Sequence, residues 1–214
     1  MTTRIAVITA GITEPSSTRL LADRLAEATV AVLGGRRAVS VEVVDVRRLA
    51  HEVTNTVLTG FASPALQERL DTIAAADAVI VSTPIYSASY SGLFKMLVDV
   101  LPRDALRDKP VLLGATGGTA RHSLAIDHAL RPLFAHLGAL VVPVAVFAAS
   151  EDWGSTDAGR LSERIERAGA ALARLVTGAP APALVDPFED VTPFEALLAD
   201  VAGVSGVSGV AGVA

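Results

Sequence analysis

Five short apolar runs punctuate the chain, and a longer stretch of mixed apolar and polar residues follows each of them. The runs lie at Ile5 to Thr9, Val39 to Val46, Ala78 to Ser82, Pro110 to Ala115 and Leu140 to Phe147. Short runs that are apolar at successive positions are typical of strands buried on both faces. The pattern therefore predicts five parallel strands that alternate with helices.

Helix signals fill the stretches between these runs. Ser16-Ser17-Thr18 predicts the cap of a first helix, which Gly34-Gly35 ends. The later predicted helices are Leu66 to Ala75, Gly92 to Leu101, Ser123 to Leu137 and Ser162 to Val176. Right-handed crossovers then place helices on both faces of the sheet. We predict an α/β three-layer sandwich with a five-stranded parallel sheet in the flavodoxin-like order 2-1-3-4-5. The alternative, a six-stranded nucleotide-binding fold, lacks its sixth strand and its Gly-x-Gly-x-x-Gly turn here.

Composition narrows the classes of partner. The 214 residues carry a net charge of −5 and no cysteine. From Ala179 onward there are five acidic residues and no Lys or Arg, and the rest of the chain holds 18 acidic and 18 basic residues. Without a basic stripe we expect no nucleic-acid partner. There is no cysteine to bind a metal ion, and no two of the four histidines have the i, i+4 spacing of a helical metal site. We therefore predict no metal site.

The composition also divides the chain. We predict one flavodoxin-like domain over residues 1–178, followed over 179–214 by a Pro/Ala linker, a short helix at Phe194 to Val201 and a partly disordered Gly-Val tail. The longest apolar run, Ala139 to Ala149, contains Pro143 and is too short to span a bilayer. A strand pattern starts at Arg4, so no signal segment is expected and a cytoplasmic location is predicted.

Three loops should meet at the carboxyl edge of such a sheet, where open α/β folds bind ligands. The candidate cofactor-binding residues are Ser16, Ser17, Thr18 and Arg19 after the first strand, Pro84, Ile85, Tyr86 and Ser87 after the third, and Thr116, Gly117, Gly118 and Thr119 after the fourth.

Hydroxyls at a helix start suit a phosphate, although Ser16 or Ser17 could simply cap the helix. The second loop offers apolar and aromatic surface, or else only a packed tyrosine. Paired glycines permit close approach to a planar ligand, but they also occur in ordinary turns. Together the loops favour a ligand with one phosphate and a flat heteroaromatic ring, and FMN fits that description.

Several separated motifs also resemble those of a known family. They are Thr83-Pro84-Ile85-Tyr86, Tyr90-Ser91-Gly92-Leu93-Phe94-Lys95, Leu101-Pro102 through Lys109-Pro110-Val111, Ala115-Thr116-Gly117-Gly118-Thr119, and Ala125-Ile126-Asp127-His128-Ala129-Leu130-Arg131-Pro132. The chain closely resembles the NADPH-dependent FMN reductases, particularly the reductase components of alkanesulfonate and methanesulfonate monooxygenase systems. Its first loop, with Pro15-Ser16-Ser17-Thr18-Arg19, is similar to an actinobacterial-type branch of that family.

The resemblance implies FMN and NADPH, or NADH, as ligands, and reduced FMN passed to a partner monooxygenase. By this resemblance, Ser16 to Arg19 would bind the FMN phosphate. Pro84 to Ser87 would flank the isoalloxazine ring, and Thr116 to Thr119 would cover its other side. Many members have Ser after the glycine of the first loop and Arg shortly beyond, where this chain has Ile12 and Glu14. Phosphate binding then rests on the Ser/Thr cluster and Arg19, and weak binding would suit a protein that releases flavin.

The resemblance further implies a homodimer or homotetramer and a π-bulge near His128 that is linked to flavin release. Hydride transfer needs no side-chain acid or base, so we predict no catalytic residue. Trp153 could cover the nicotinamide side or could simply be packed. The alternatives are a reductase that retains FMN and reduces quinones, azo dyes or chromate, and a flavodoxin-like electron carrier.

Overall fold

The sheet of the computed structural model runs in the order predicted from the sequence. The structure describes residues 2–35, 37–154 and 158–179. Its strands are β1 (Thr3–Thr9), β2 (Val39–Asp45), β3 (Ala78–Tyr86), β4 (Ser89–Tyr90), β5 (Pro110–Gly117), β6 (Leu140–Val141) and β7 (Val146–Ala149). The sheet order is β2-β1-β3-β5, with β6 and β7 both pairing with β5. The flavodoxin-like order is therefore confirmed, with the predicted fifth strand divided into two segments around Pro143.

Helices cover both faces of this sheet. They are α1 (Ser17–Leu33), α2 (Ala50–Thr59), α3 (Pro64–Ala75), α4 (Gly92–Asp99), α5 (Arg131–His136) and α6 (Ala158–Thr177), with short 3₁₀ turns at Val46–Leu49, Ala120–His122 and Ser150–Trp153 and a π-helix at Ile126–Leu130. One buried cluster joins α1 and α6 to the sheet, for example through Leu25 and Leu172. The other cluster joins the helices α2, α3, α4 and α5 to the sheet, for example through Leu70 of α3 and Phe134 of α5. Alternate residues of β1, β3, β5 and β7 enter the two clusters, which explains why these strands are apolar at successive positions.

Two predictions about elements are wrong. The third strand was predicted to end at Ser82, but β3 continues to Tyr86 and returns through the antiparallel β4. Pairing of β3 with β1 ends at Ser82, whereas pairing with β5 continues to Pro84, opposite Thr116. The proline lies beyond the β1 pairing, so its missing N–H removes no ladder bond there.

The other error concerns helices. No helix was predicted over Ala50–Thr59, where α2 lies. The single helix predicted over Ser123 to Leu137 is instead a turn followed by the π-helix Ile126–Leu130 and then α5. The predicted linker, helix and tail of 180–214 lie outside the described residues, and the domain division remains a prediction. Within the described residues, no helix combines the length and apolar character that a bilayer span requires.

Candidate functional site

The ends of β1, β3 and β5 lie side by side at the carboxyl edge of the sheet. Thr9 is opposite Ser82, and Pro84 is opposite Thr116. The three loops that follow these strands therefore meet, as the sequence predicted. Each loop is held by its own set of hydrogen bonds, and those bonds determine which atoms stay free for a ligand.

The first loop ends at the N-terminus of α1. Ser16 is the N-cap, and its Oγ accepts a hydrogen bond from the amide of Arg19 at 3.1 Å. Gly11 is required here, because a Cβ at that position would lie 2.0 Å from Ser16 Oγ. The amides of Ser17 and Thr18 open the helix, where backbone N–H groups have no partner within the helix. This end of α1 therefore offers an exposed hydroxyl on Ser17, free amides and the positive end of the helix dipole.

Thr18 connects the first loop to the other two strands. Its Oγ1 lies 2.7 Å from Oγ1 of Thr116, and its carbonyl accepts a hydrogen bond from Ser82 Oγ at 2.9 Å. All three side chains are buried. The hydroxyls of Thr18 and Thr116 thus bond to each other, and this contact fixes the spacing between the first and third loops.

Arg19 lies on the β2 side of α1. Its Nε donates to both carboxylate oxygens of Asp23, at 2.8 and 2.9 Å. The side chain lines a cavity of about 260 Å³ together with Arg47 and Arg48, which follow β2. Thr9 also lines this cavity, and its buried Oγ1 has no hydrogen-bond partner among the described residues.

The second loop is a tight hairpin. Pro84 and Ile85 are buried in β3, whereas Tyr86 is 46% exposed. The turn residues Ser87 (φ 49°) and Ala88 (φ 67°) both have positive φ, as a type I′ hairpin turn requires. Only Tyr86 and Ser87 of the four predicted residues therefore lie at the surface of this loop.

The third loop leaves β5 through Gly117 and Gly118. A Cβ on Gly117 would lie 2.8 Å from Cζ of Phe147, so packing against β7 requires that glycine. Among the described residues, no atom other than those of its chain neighbours lies within 4 Å of the position a Cβ would take on Gly118. Thr119 caps the following 3₁₀ turn, its Oγ1 accepting from the amide of Arg121. Gly118 is thus the open position of the loop.

Sequence reasoning missed several residues of this edge. Thr9 ends its strand with a buried hydroxyl, and Thr83 Oγ1 accepts from the amide of Ser91, which holds the return of the hairpin. Arg47, in the turn after β2, contacts Glu14 of the first loop, and Arg48 lines the same cavity. An adjacent arginine pair after a strand is a visible signal, but only the fold shows which loop it approaches.

Two further predictions concern residues beside the site. The π-helix Ile126–Leu130 includes His128, at the position where the resemblance implied a bulge, and the His128 side chain is exposed. Its role in flavin release stays a prediction. Trp153 is half-buried and packs against the cluster formed by α1 and α6. Across the described ranges, no group of three or more Asp, Glu and His side chains could hold a metal ion.

Comparisons with known proteins agree with this geometry. A family model described as NADPH-dependent FMN reductase matches residues 3–154. The FMN reductase (NADPH) of Pseudomonas aeruginosa is 38% identical over 150 residues, which cover 70% of this chain and 78% of the relative. The NADH-dependent FMN reductase SfnF of Pseudomonas putida is 39% identical over 148 residues, with coverage of 69% and 78%.

A solved structure is similar over most of the chain. The X-ray structure of an oxidoreductase from Corynebacterium diphtheriae has a TM-score of 0.80 and 42% sequence identity to this chain, and the match covers 83% of this chain and 98% of that one. The residues matched by the family model, 3–154, include the three loops at the carboxyl edge. The chain belongs to the NADPH-dependent FMN reductase family.

Proposed function

We propose that the protein is an NAD(P)H-dependent FMN reductase that supplies reduced FMN to a partner flavin-dependent monooxygenase. The observation that carries this proposal is the meeting of three loops at the carboxyl edge of β1, β3 and β5, tied together through Thr18 and Thr116. Family membership gives the reaction class, and relatives are named for NADPH and for NADH. We therefore propose NAD(P)H as the hydride donor.

The first loop fits the phosphate of FMN. Free amides at Ser17 and Thr18, the hydroxyl of Ser17 and the dipole of a 17-residue helix all favour an anion. Thr9 lines the same cavity as Gly11 and Ser16, and its buried Oγ1 has no hydrogen-bond partner among the described residues, which is unusual for a buried hydroxyl. These groups, more than the side chain of Thr18, would hold the phosphate.

The second and third loops fit a flat ring. Tyr86 and Ser87 present exposed surface on one side, and the backbone at Gly118 is open on the other. Ile85 supports the hairpin from within the core, Pro84 is buried in β3, and Gly117 is fixed by Phe147. We assign Tyr86, Ser87, Gly118 and Thr119 to direct contact with the ring, and the buried residues to positioning the loops.

When bound, FMN supplies the chemistry by accepting a hydride from the nicotinamide ring. The protein would hold the two rings in contact and in the orientation that hydride transfer requires. Backbone amides of the second and third loops would donate to the pyrimidine edge of the flavin, where negative charge develops on reduction. No side chain of the site is assigned as a proton donor or acceptor.

The partner and the assembly are inferred from the motifs alone. The resemblance to the reductase components of sulfonate monooxygenase systems supports a monooxygenase partner and a homodimer or homotetramer. Release of reduced flavin requires moderate affinity for FMN. The exposure of Ile12 to Pro15 and of Ser17 in the first loop is consistent with such an affinity. The cytoplasmic location stays a prediction from the sequence.

The test is NADPH and NADH oxidation by the purified protein, with and without added FMN. We expect oxidation that depends on added FMN and little bound flavin after desalting. Absence of oxidation under both conditions would contradict the proposal. A protein that stays yellow after desalting and oxidises NADPH without added FMN would favour the flavin-retaining alternative.

A further inference from the structure

The cavity beside the first loop contains as many negative as positive side chains. Three arginines line it, and each forms an ion pair with a carboxylate that also lines it. The pairs are Arg19–Asp23 at 2.8 Å, Arg47–Glu14 at 2.7 Å and Arg48–Asp45 at 3.4 Å. An anion that enters this cavity must therefore compete with a carboxylate for any of the three cations.

Only one of the three pairs joins separate segments. Asp23 and Arg19 are four residues apart on α1, and Arg48 is three residues from Asp45. Glu14, by contrast, lies in the first loop, whereas Arg47 lies in the 3₁₀ turn after β2. The Arg47–Glu14 pair is thus the contact that depends on the position of the first loop.

This pair is also easily broken. The side chains of Arg47 and Glu14 are 41% and 72% exposed, and an ion pair with that much solvent contributes little stability. Ser16, the N-cap of α1, lines the same cavity. A phosphate at the N-terminus of α1 would therefore share the cavity with the negative charge of Glu14. A dianion attracts a guanidinium more strongly than a monoanion does.

We propose that Glu14 and Arg47 set the affinity of the protein for the flavin phosphate. In the flavin-free protein Glu14 is the ion-pair partner of Arg47. When FMN binds, its phosphate replaces Glu14 as that partner. Glu14 therefore lowers FMN affinity, because it competes for Arg47 and repels the phosphate. Arg47 is accordingly a phosphate-binding residue and Glu14 an affinity-lowering one. The inference rests on the proposed function, because it assumes that the phosphate of FMN binds at the start of α1.

The test compares the dissociation constants of FMN and riboflavin, measured by quenching of flavin fluorescence. Riboflavin lacks the phosphate, so it reports on the ring site alone. The variants are Glu14→Gln and Arg47→Gln. The matched control is Asp104→Asn, which removes the acid of the Arg107–Asp104 pair. That pair has the same 2.7 Å distance, is solvent-exposed on both side chains and precedes β5 at the amino edge of the sheet, away from the carboxyl edge.

Glu14→Gln should tighten FMN about two- to fivefold, and Arg47→Gln should weaken it about tenfold. Riboflavin affinity should stay within about twofold of wild type in both variants, because the ring contacts are unchanged. Asp104→Asn should change neither affinity. Equal FMN affinity in wild type and both site variants would overturn this inference while leaving the reductase proposal intact. No FMN binding to the wild-type protein would overturn both.

Discussion

Two small side chains adopt a backbone conformation that L-residues rarely use. Ser87 and Ala88 both have positive φ at the tip of the hairpin, where a type I′ turn favours Asn and Gly. A residue with a Cβ loses about 1 kcal/mol in this conformation. Such strain often persists at functional sites, and this hairpin is part of the proposed flavin site.

Ala88→Gly should therefore stabilise the protein by about 1 kcal/mol, because glycine adopts positive φ without steric cost. The measurement is the free energy of unfolding from urea titration. Ala31→Gly, at an exposed position in α1, is the control and should destabilise by about 0.5–1 kcal/mol. An equal loss of stability in the two variants would contradict the strain at Ala88.

The buried bond between Thr18 and Thr116 makes a second prediction at this scale. Thr116→Val should cost about 1–2 kcal/mol, because it leaves the Thr18 hydroxyl buried without a partner. The double variant Thr18→Val/Thr116→Val should lose clearly less than the sum of the two single variants. Strict additivity in urea unfolding would show that the two hydroxyls are not coupled.

Among the helices and strands, the sequence predicts those that are marked by apolar periodicity and by turn or capping residues. The five-stranded order and the cap of α1 follow from apolar runs and from Ser16, and both are confirmed. The segment Ala50–Thr59 was missed because its Thr and Val residues have low helix propensity, and tertiary packing of Val53 overrides that preference. The π-helix was expected only through the resemblance, since a one-residue insertion barely alters helical periodicity.

The packing of α6 on α1 gives a prediction of its own. A Cβ on Gly169 would lie 2.8 Å from the Ala28 carbonyl carbon and the Thr29 nitrogen, which are backbone atoms that cannot rotate away. Gly169→Ala should therefore cost about 3 kcal/mol by overpacking. Gly92→Ala is the control, because Gly92 opens α4 and, in the described part of the chain, only its chain neighbours have atoms within 4 Å of the position of a Cβ. This substitution should be neutral or slightly stabilising. Equal stabilities for the two variants in thermal unfolding would contradict the close approach of α1 and α6.

At the scale of the whole molecule, the carboxyl edge shows where sequence reasoning stops. The three loops were predicted from their chemistry and their order in the sheet, and they do meet. The roles of individual residues within them depend on contacts that are distant in sequence. Thr18 bonds Thr116, Gly117 accommodates Phe147, and Glu14 pairs with Arg47. No local pattern encodes such pairs, because they arise only when the sheet has assembled.

The most direct test of the proposed reaction is anaerobic reduction of FMN by NADPH or NADH, followed through the visible absorbance of the flavin. The wild-type protein should bleach FMN rapidly. Gly118→Val should fold with near-wild-type stability, because its Cβ enters open space, yet it should reduce FMN far more slowly at equal flavin concentration. No bleaching by the wild-type protein would contradict the reductase assignment. Equal bleaching by the two proteins would show that FMN is not reduced at the edge formed by β1, β3 and β5.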